Sequence, residues 1–300
     1  MPPKNQDTTC CYVLVTPARN EEAQIESVLQ AVTAQTVLPR RYVIVSDGST
    51  DRTDEIVEEY ARRHDFIELV RFEKGKRGSF GSKALAFSAG YARLKTLDYD
   101  FVGNLDADIS FDPNYFETIL EEFKKDAQLG LAGGWVYVPV KGEYRPQMIS
   151  DNSVAGAVQL FRRECFAAIG GYLPLKRGGI DTAAEITARM RGWKVRTIRS
   201  CKVLTHRPVR TGRGGVLATR FNKGVMNYEF GYHPLFQLAV SVRSIFSYPV
   251  FMGTFWMLGG YTWAMLKRHP RQVSDEFVAF LREEQLRRLC LRRAKTARKP

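Results

Sequence analysis

Short apolar runs take turns with segments whose apolar positions recur at helical spacing along the first part of the chain. CYVLVTP (11–17) is an apolar run, and EEAQIESVLQAV then sets Ile25, Val28, Leu29 and Val32 at helical spacing. RYVIVS (41–46) predicts a second strand, DEIVEEYARRH a second helix with Ile56, Val57 and Tyr60 on one face, and FIELVRF (66–72) a third strand. KGKRGSFGS reads as a glycine-rich basic loop, KALAFSAGYARL as a third helix and FVGNL (101–105) as a fourth strand. Asp112-Pro113 predicts a helix start, a cap and then proline in the first turn, with Phe116, Ile119, Leu120 and Phe123 inward. Repeated β-α-β of this kind predicts an α/β fold on a single Rossmann-like, mostly parallel sheet with helices on both faces.

Further along, the pattern loosens. LAGGWVYVPV and VAGAVQLF predict strands, and RRECFAAIGGY a short helix stopped by glycines. KRGGIDTAAEITARMRGW predicts a Gly-rich loop, a helix for which Asp181 is a candidate N-cap, and a glycine stop. LTHRP sets His206 after a short strand. The expected organisation is a disordered start (1–9), one globular domain (10–230), and an apolar segment with a basic helical tail (231–300).

Composition changes this picture in two places. The net charge is +13 and unevenly spread: between Glu185 and Glu229 there is no acid, and from Lys267 onward eleven Lys/Arg face four Asp/Glu. Such blocks suit phosphates, an anionic membrane surface or nucleic acid. Residues 244–266 form an uncharged stretch of 23 residues, with Arg243 before it and Lys267-Arg268 after it. It is long enough to span a bilayer, but Pro249, Gly253, Gly259 and Gly260 interrupt it, and basic residues are dense on both sides. A re-entrant or surface-lying segment is favoured over a span or a soluble core helix, because it keeps both basic flanks on one side. The five cysteines form no CxxC pattern, so neither a disulfide framework nor a zinc site is expected. MPPKNQDTT lacks the apolar region of a secretory signal.

Parallel α/β sheets bind ligands at the carboxyl ends of their strands. That rule puts Pro17, Ala18, Arg19 and Glu21, then Asp47, Lys83, Asp106 and Asp108 on one rim. Asp106 and Asp108 repel one another, and a hard divalent cation would relieve them. Each residue alone has an ordinary reading: Glu21 in a first helical turn, Asp47 in an Asp-Gly turn, Lys83 solvated, Asp181 a cap. The first turn, TPARNEE, has no GxGxxG, which argues against a dinucleotide oxidoreductase. A nucleic-acid-binding module accounts for the charge but not for the carboxylates, so no nucleic-acid partner is expected.

Taken together and in order, VLVTPARNEE, VIVSDGSTDRT, GSKALAFSAG, FVGNLDADIS and RRECFAAIGGY…GGIDTAAEITARMRGWKV resemble the family 2 glycosyltransferases, inverting enzymes with the GT-A fold. The resemblance implies that Asp106 and Asp108 are the DxD motif, holding Mg²⁺ or Mn²⁺ against the diphosphate of a UDP-, GDP- or TDP-sugar. It implies that Pro17, Ala18, Arg19, Glu21 and Asp47, with Lys83 and Asp106, bind the donor. Asp181 matches the family's catalytic base, and His206 the histidine that often joins the metal site. The chain departs from the pattern at Ser46-Asp47 and Ile180-Asp181, where the family commonly has two acids; the second acid is present in both. No QxxRW motif is present, which favours a single sugar addition. Glu185, one turn beyond Asp181, is the second candidate base. The apolar stretch and basic tail suggest a membrane surface as partner, at the cytoplasmic face of the cell's inner membrane. The expected acceptor there is a polyprenyl-pyrophosphate-linked glycan in bacterial surface polysaccharide assembly. The alternative is a soluble or peripheral glycosyltransferase with a small-molecule or protein acceptor.

Overall fold

The computed structural model describes residues 10–72, 80–140, 142–207, 215–245 and 251–296, the side chains of residues 80 and 291–296 excepted. The expected disordered start and most of the basic loop before Lys83 lie outside the described residues. β1 (Tyr12–Ala18), α1 (Ile25–Thr33), β2 (Arg41–Ser46), α2 (Thr53–Arg63), β3 (Ile67–Arg71), α3 (Phe80–Leu94) and β4 (Phe101–Leu105) follow the predicted alternation. Their uninterrupted apolar runs reflect burial on both faces. Tyr12 and Leu14 of β1 join the core with Val28 and Leu29 of α1. Val13 and Val15 are equally buried, and α3 packs on β1 and β2. A Cβ at Gly90 of α3 would stand 2.8 Å from Val15 and 2.6 Å from Val45, so glycine lets this helix close on the sheet.

The rest of the first unit is β5 (Ile109–Phe111), α4 (Tyr115–Lys125), β6 (Leu129–Val140), β7 (Glu143–Pro146), β8 (Val158–Arg162), α5 (Arg163–Ile169), α6 (Ile180–Met190) and β9 (Lys194–Thr205). Three details differ from the sequence reading. α4 begins at Tyr115 with Asn114 at the cap position and no side-chain cap bond, so Asp112 does not cap it. The strand predicted over VAGAVQLF is confined to Val158–Arg162, and the strand before His206 is long, Lys194–Thr205. Asp181 lies inside α6, whose cap position is Gly179 in the left-handed region (φ 79°).

The larger correction concerns the sheet, which is mixed rather than mostly parallel. Its order is β3-β2-β1-β4-β8-β6-β9-β5, with β7 on β6. β1–β2, β1–β4, β2–β3 and β6–β9 pair in parallel, whereas β4–β8, β5–β9, β6–β7 and β6–β8 are antiparallel. β4 and β5 are consecutive in the chain, joined only by Asp106-Ala107-Asp108, yet three strands separate them in the sheet. Four flat strand spacings would be about 19 Å. The four Cα steps from Leu105 to Ile109 reach at most about 14 Å. The sheet therefore curls, and the end of β9 comes over the link that carries both aspartates: the His206 N–H donates to the Asp108 carbonyl at 2.8 Å.

The chain divides into two compact units at Val209/Arg210. The domain expected over 10–230 ends later than this division, at residue 230. In the second unit α7 (Gly215–Glu229) packs along α9 (Met252–Leu266); α8 (Pro234–Arg243) and α10 (Asp275–Thr296) complete it. A Cβ at Gly224 would sit 1.9 Å from the Met257 carbonyl oxygen, and one at Gly260 2.1 Å from that of Phe221, so these two helices touch backbone to backbone. Residues 246–250 of the apolar stretch lie outside the described residues. No helix among the described residues is long and apolar enough to cross a membrane. No disulfide joins any of the five cysteines.

Candidate active site

The turns after β1 and β2 are clamped to each other. Asn20 adopts φ 52°, a left-handed conformation that asparagine tolerates, and its Oδ1 accepts the Thr50 N–H at 2.8 Å. The Glu21 N–H donates to Thr53 Oγ1 at 2.7 Å. The Asp47 N–H donates to the Ala18 carbonyl at 2.9 Å, just beyond Pro17, which pairs with Val45. The Asp47 carboxylate is buried; it accepts a hydrogen bond from Ser82 and lies 3.5 Å from an Arg19 guanidinium nitrogen. Pro17 to Glu21 and Asp47 thus form one rigid wall.

The second wall is the link between β4 and β5. The Asp106 N–H donates to the Ala157 carbonyl at 2.9 Å, extending the β4–β8 ladder by one bond. Its carboxylate pairs with the Lys83 ammonium from the first turn of α3. Burial opposes the charge on Lys83, but Asp106, Asp181 and Asp108 together outweigh it and raise the pKa. For Asp108, burial and then the charge of Asp106 push the carboxyl upward, with Arg207 and Lys83 pulling it back. Asp108 is thus a largely buried carboxylate beside a second one, with Arg207 and Lys83 only partly offsetting the cost.

Asp181 completes the ring. A Cβ on Gly156 would lie 2.4 Å from Asp181 Oδ2, so the carboxylate rests directly on that glycine. Tyr172 donates to Gln159 Oε1 at 2.6 Å; burial first, then the charges of Asp181 and Asp106, hold its hydroxyl protonated. Glu185 faces elsewhere. It is buried and accepts from Ser153 Oγ at 2.8 Å and from the Val154 N–H at 3.0 Å, with Arg189 3.7 Å away. Its acceptor sites are already used to fix the loop before β8.

His206 and its neighbour are placed differently from the expectation. The His206 ring bonds Ser110 Oγ at 2.9 Å and the Tyr144 hydroxyl at 3.2 Å. Among the described residues no group of three or more His, Cys, Asp and Glu is gathered to hold a metal, so this ring is not brought into one set with Asp106 and Asp108. Arg207, which sequence reasoning passed over as part of a basic run, forks onto both Glu21 oxygens and reaches Asp108 Oδ2 at 4.0 Å. Only its place beside His206 in THRP hinted at this. Four others of that run are placed apart from the site: Lys194 and Arg196 pair with Asp126, Arg199 with Asp151 over the Trp135 ring, and Lys202 lies over Tyr137. Ser82 and Gly156 were also missed, since a serine and a glycine carry no chemical signature of their own.

Two carboxylates one residue apart, on a rim where Glu21, Asp47, Asp106, Asp108 and Asp181 face Arg19, Lys83 and Arg207, fit a hard cation that takes one or two protein carboxylates and fills its shell with phosphate oxygens. The raised Asp108 carboxyl is the observation that such an ion would answer.

Comparison with known proteins gives a consistent result. The family described as Glycosyl transferase family 2 matches residues 13–179. The poly-beta-1,6-N-acetyl-D-glucosamine synthase of Staphylococcus epidermidis is 29% identical over 170 residues, covering 56% of this chain and 36% of that protein. That of Staphylococcus aureus (strain COL) is 27% identical over 196 residues, covering 59% and 45%. The chain thus spans less than half the length of these curated relatives. Among solved structures, the mannosyltransferase PcManGT of Pyrobaculum calidifontis, in complex with GDP-Man and Mn²⁺, superposes with a TM-score of 0.54 at 20% identity over 90% of this chain and 78% of that one. S. aureus TarS 1-349 in complex with UDP-GlcNAc gives 0.53 at 13% identity, again over 90% and 78%. These likenesses show a shared fold.

Proposed function

The chain belongs to glycosyl transferase family 2 and is a glycosyltransferase, and on that premise we propose that it moves one sugar from a nucleotide sugar to an acceptor hydroxyl, inverting the anomeric carbon. The observation that carries this reading is Lys83, a single ammonium bonded to Asp106 and kept charged by Asp106, Asp181 and Asp108 together. The acceptor oxygen attacks the anomeric carbon as the bond to the nucleoside diphosphate breaks. Asp181 takes the hydroxyl proton, and one base suffices for one in-line displacement. Lys83 and Arg207 face the negative charge that grows on the leaving diphosphate. Asp106 and Asp108 would hold Mg²⁺ or Mn²⁺, which when bound supplies further neutralisation of that charge. The walls around Asp47 and Pro17 to Glu21 would cradle the nucleoside.

Relatives named for polymerising N-acetylglucosamine, and folds solved with GDP-Man or UDP-GlcNAc, support a UDP- or GDP-sugar donor. A polyprenyl-pyrophosphate-linked glycan acceptor at the cytoplasmic face of the membrane is supported by the second unit, whose helices expose apolar side chains. Asp181→Asn keeps the size of the side chain and removes the base. Transfer should fall about 10²–10⁴-fold, while a thermal-shift titration with the donor and Mn²⁺ stays near wild type. Wild-type turnover in this variant would refute Asp181 as the base.

A further inference from the structure

α8 and α9 carry apolar side chains on their outside as well as their inside. On α8, Leu235, Leu238 and Val242 recur at helical spacing and are 60%, 49% and 55% exposed. On α9, Met252, Phe255, Trp256, Trp263 and Leu266 are exposed at the same spacing, Phe255 at 72% and Leu266 at 79%. The inward faces are already filled. Gln237 and Ser241 of α8 are buried and hydrogen-bonded to one another, and Met257, Gly260, Tyr261 and Ala264 of α9 are buried. The outer stripes are therefore not spare core, and water is a poor neighbour for a contiguous apolar surface.

Charge identifies what would cover them. From 230 to 274 the chain has no acid, but it has Arg243, Lys267, Arg268 and Arg271. Arg243 is the last residue of α8, and Lys267 and Arg268 follow α9; all three are exposed. A protein partner reading these stripes would need no such one-sided charge, whereas an anionic leaflet does. Length decides the mode. The 15 residues of α9 extend about 22 Å, short of the ~30 Å hydrocarbon layer. A helix too short to cross, apolar on its outer side and followed by Lys267 and Arg268, lies in the interface.

We propose that the outward faces of α8 and α9 are a docking surface for an anionic lipid leaflet, with the two apolar stripes at the acyl boundary and Arg243, Lys267 and Arg268 among the headgroup phosphates. The inference does not depend on the chemistry of the first unit; it deepens the membrane placement proposed above, which draws on the same exposed side chains.

The test is co-sedimentation of the full chain with phosphatidylcholine vesicles, with and without phosphatidylglycerol. The wild type should sediment with the anionic vesicles and more weakly with the neutral ones. Leu235→Ser with Leu238→Ser, and separately Phe255→Ser with Trp256→Ser, should each lower partitioning roughly tenfold or more on both. Arg243→Gln with Lys267→Gln should lower it about tenfold on anionic vesicles and leave neutral ones unchanged. Circular dichroism checks that each variant folds; if an apolar pair does not, the charge pair decides alone. A wild type that stays in the supernatant with both lipids overturns the proposal. So do serine variants that sediment like the wild type, a charge pair that leaves anionic binding unchanged, and a dimer dissolved by the serine pairs with vesicle binding unchanged.

Discussion

Arg207 shows how much one unremarked residue can hold together. From 186 residues further along the chain it holds Glu21, beyond β1, and reaches the neighbourhood of Asp108, beyond β4. It also competes with any cation that Asp108 would take. Two unit charges at 4 Å interact by about 4 kcal/mol at an effective dielectric of ~20, and the partial exposure of both groups reduces this to the order of 1 kcal/mol. Arg207→Gln should therefore act with opposite signs on two ligands. Mn²⁺ alone should bind up to roughly tenfold more tightly, and a nucleoside diphosphate more weakly by a similar factor. Calorimetric titration of each ligand separately checks this; affinities that move together would mean that the substitution merely loosens the site.

Glu185 offers a different test at the same scale. Burial raises its carboxyl, with Arg189, the Val154 N–H and Ser153 opposing the rise and Asp181 adding to it. A carboxyl whose pKa is higher in the folded chain stabilises it most below the ordinary range near ~4.3. That contribution is lost as pH rises through the folded value. Glu185→Gln has no such titration. Urea unfolding at a series of pH values should show the stability difference moving toward the variant as pH rises from about 4 to neutrality, and a constant difference would show that Glu185 does not titrate differently on folding.

Among elements, α7 and α9 owe their contact to glycine. A lone glycine in a helical pattern costs about 1 kcal/mol against alanine in isolation, so the sequence reads Gly224 and Gly260 as weak points. In the fold each faces the carbonyl of the other helix, which cannot swing aside as a side chain would. Gly260→Ala should push the helices apart and destabilise the second unit by about 1–3 kcal/mol. Hydrogen exchange should show amides of α7 and α9 losing protection while those of β1, β2 and β4 keep it. Unchanged protection would mean that the helices already have room. Gly156 works by the same physics in the first unit, because the missing Cβ is the space in which the Asp181 carboxylate rests.

At the scale of the whole molecule, local pattern and global arrangement part company at the sheet. Helical spacing of apolar positions, continuous apolar runs and glycine stops are written in neighbouring residues. They were sufficient for β1 to β4 with their helices, for the rim holding Pro17 to Glu21, Asp47, Asp106 and Asp108, and for α6 beginning beside Asp181. Strand order is a pairing between distant segments, and no local period encodes it. Placing β8 beside β4 and β9 beside β5, antiparallel in each case, depends on which apolar faces can be covered at once, and on a link too short for a flat sheet. The sequence by itself therefore determined the elements and the carboxylates at their ends, because spacing along the chain fixes both. Only the tertiary structure decided that Arg207 meets Glu21, that Asp181 lies against Gly156 and that the His206 ring turns to Ser110 and Tyr144, because those contacts exist only once the sheet has curled.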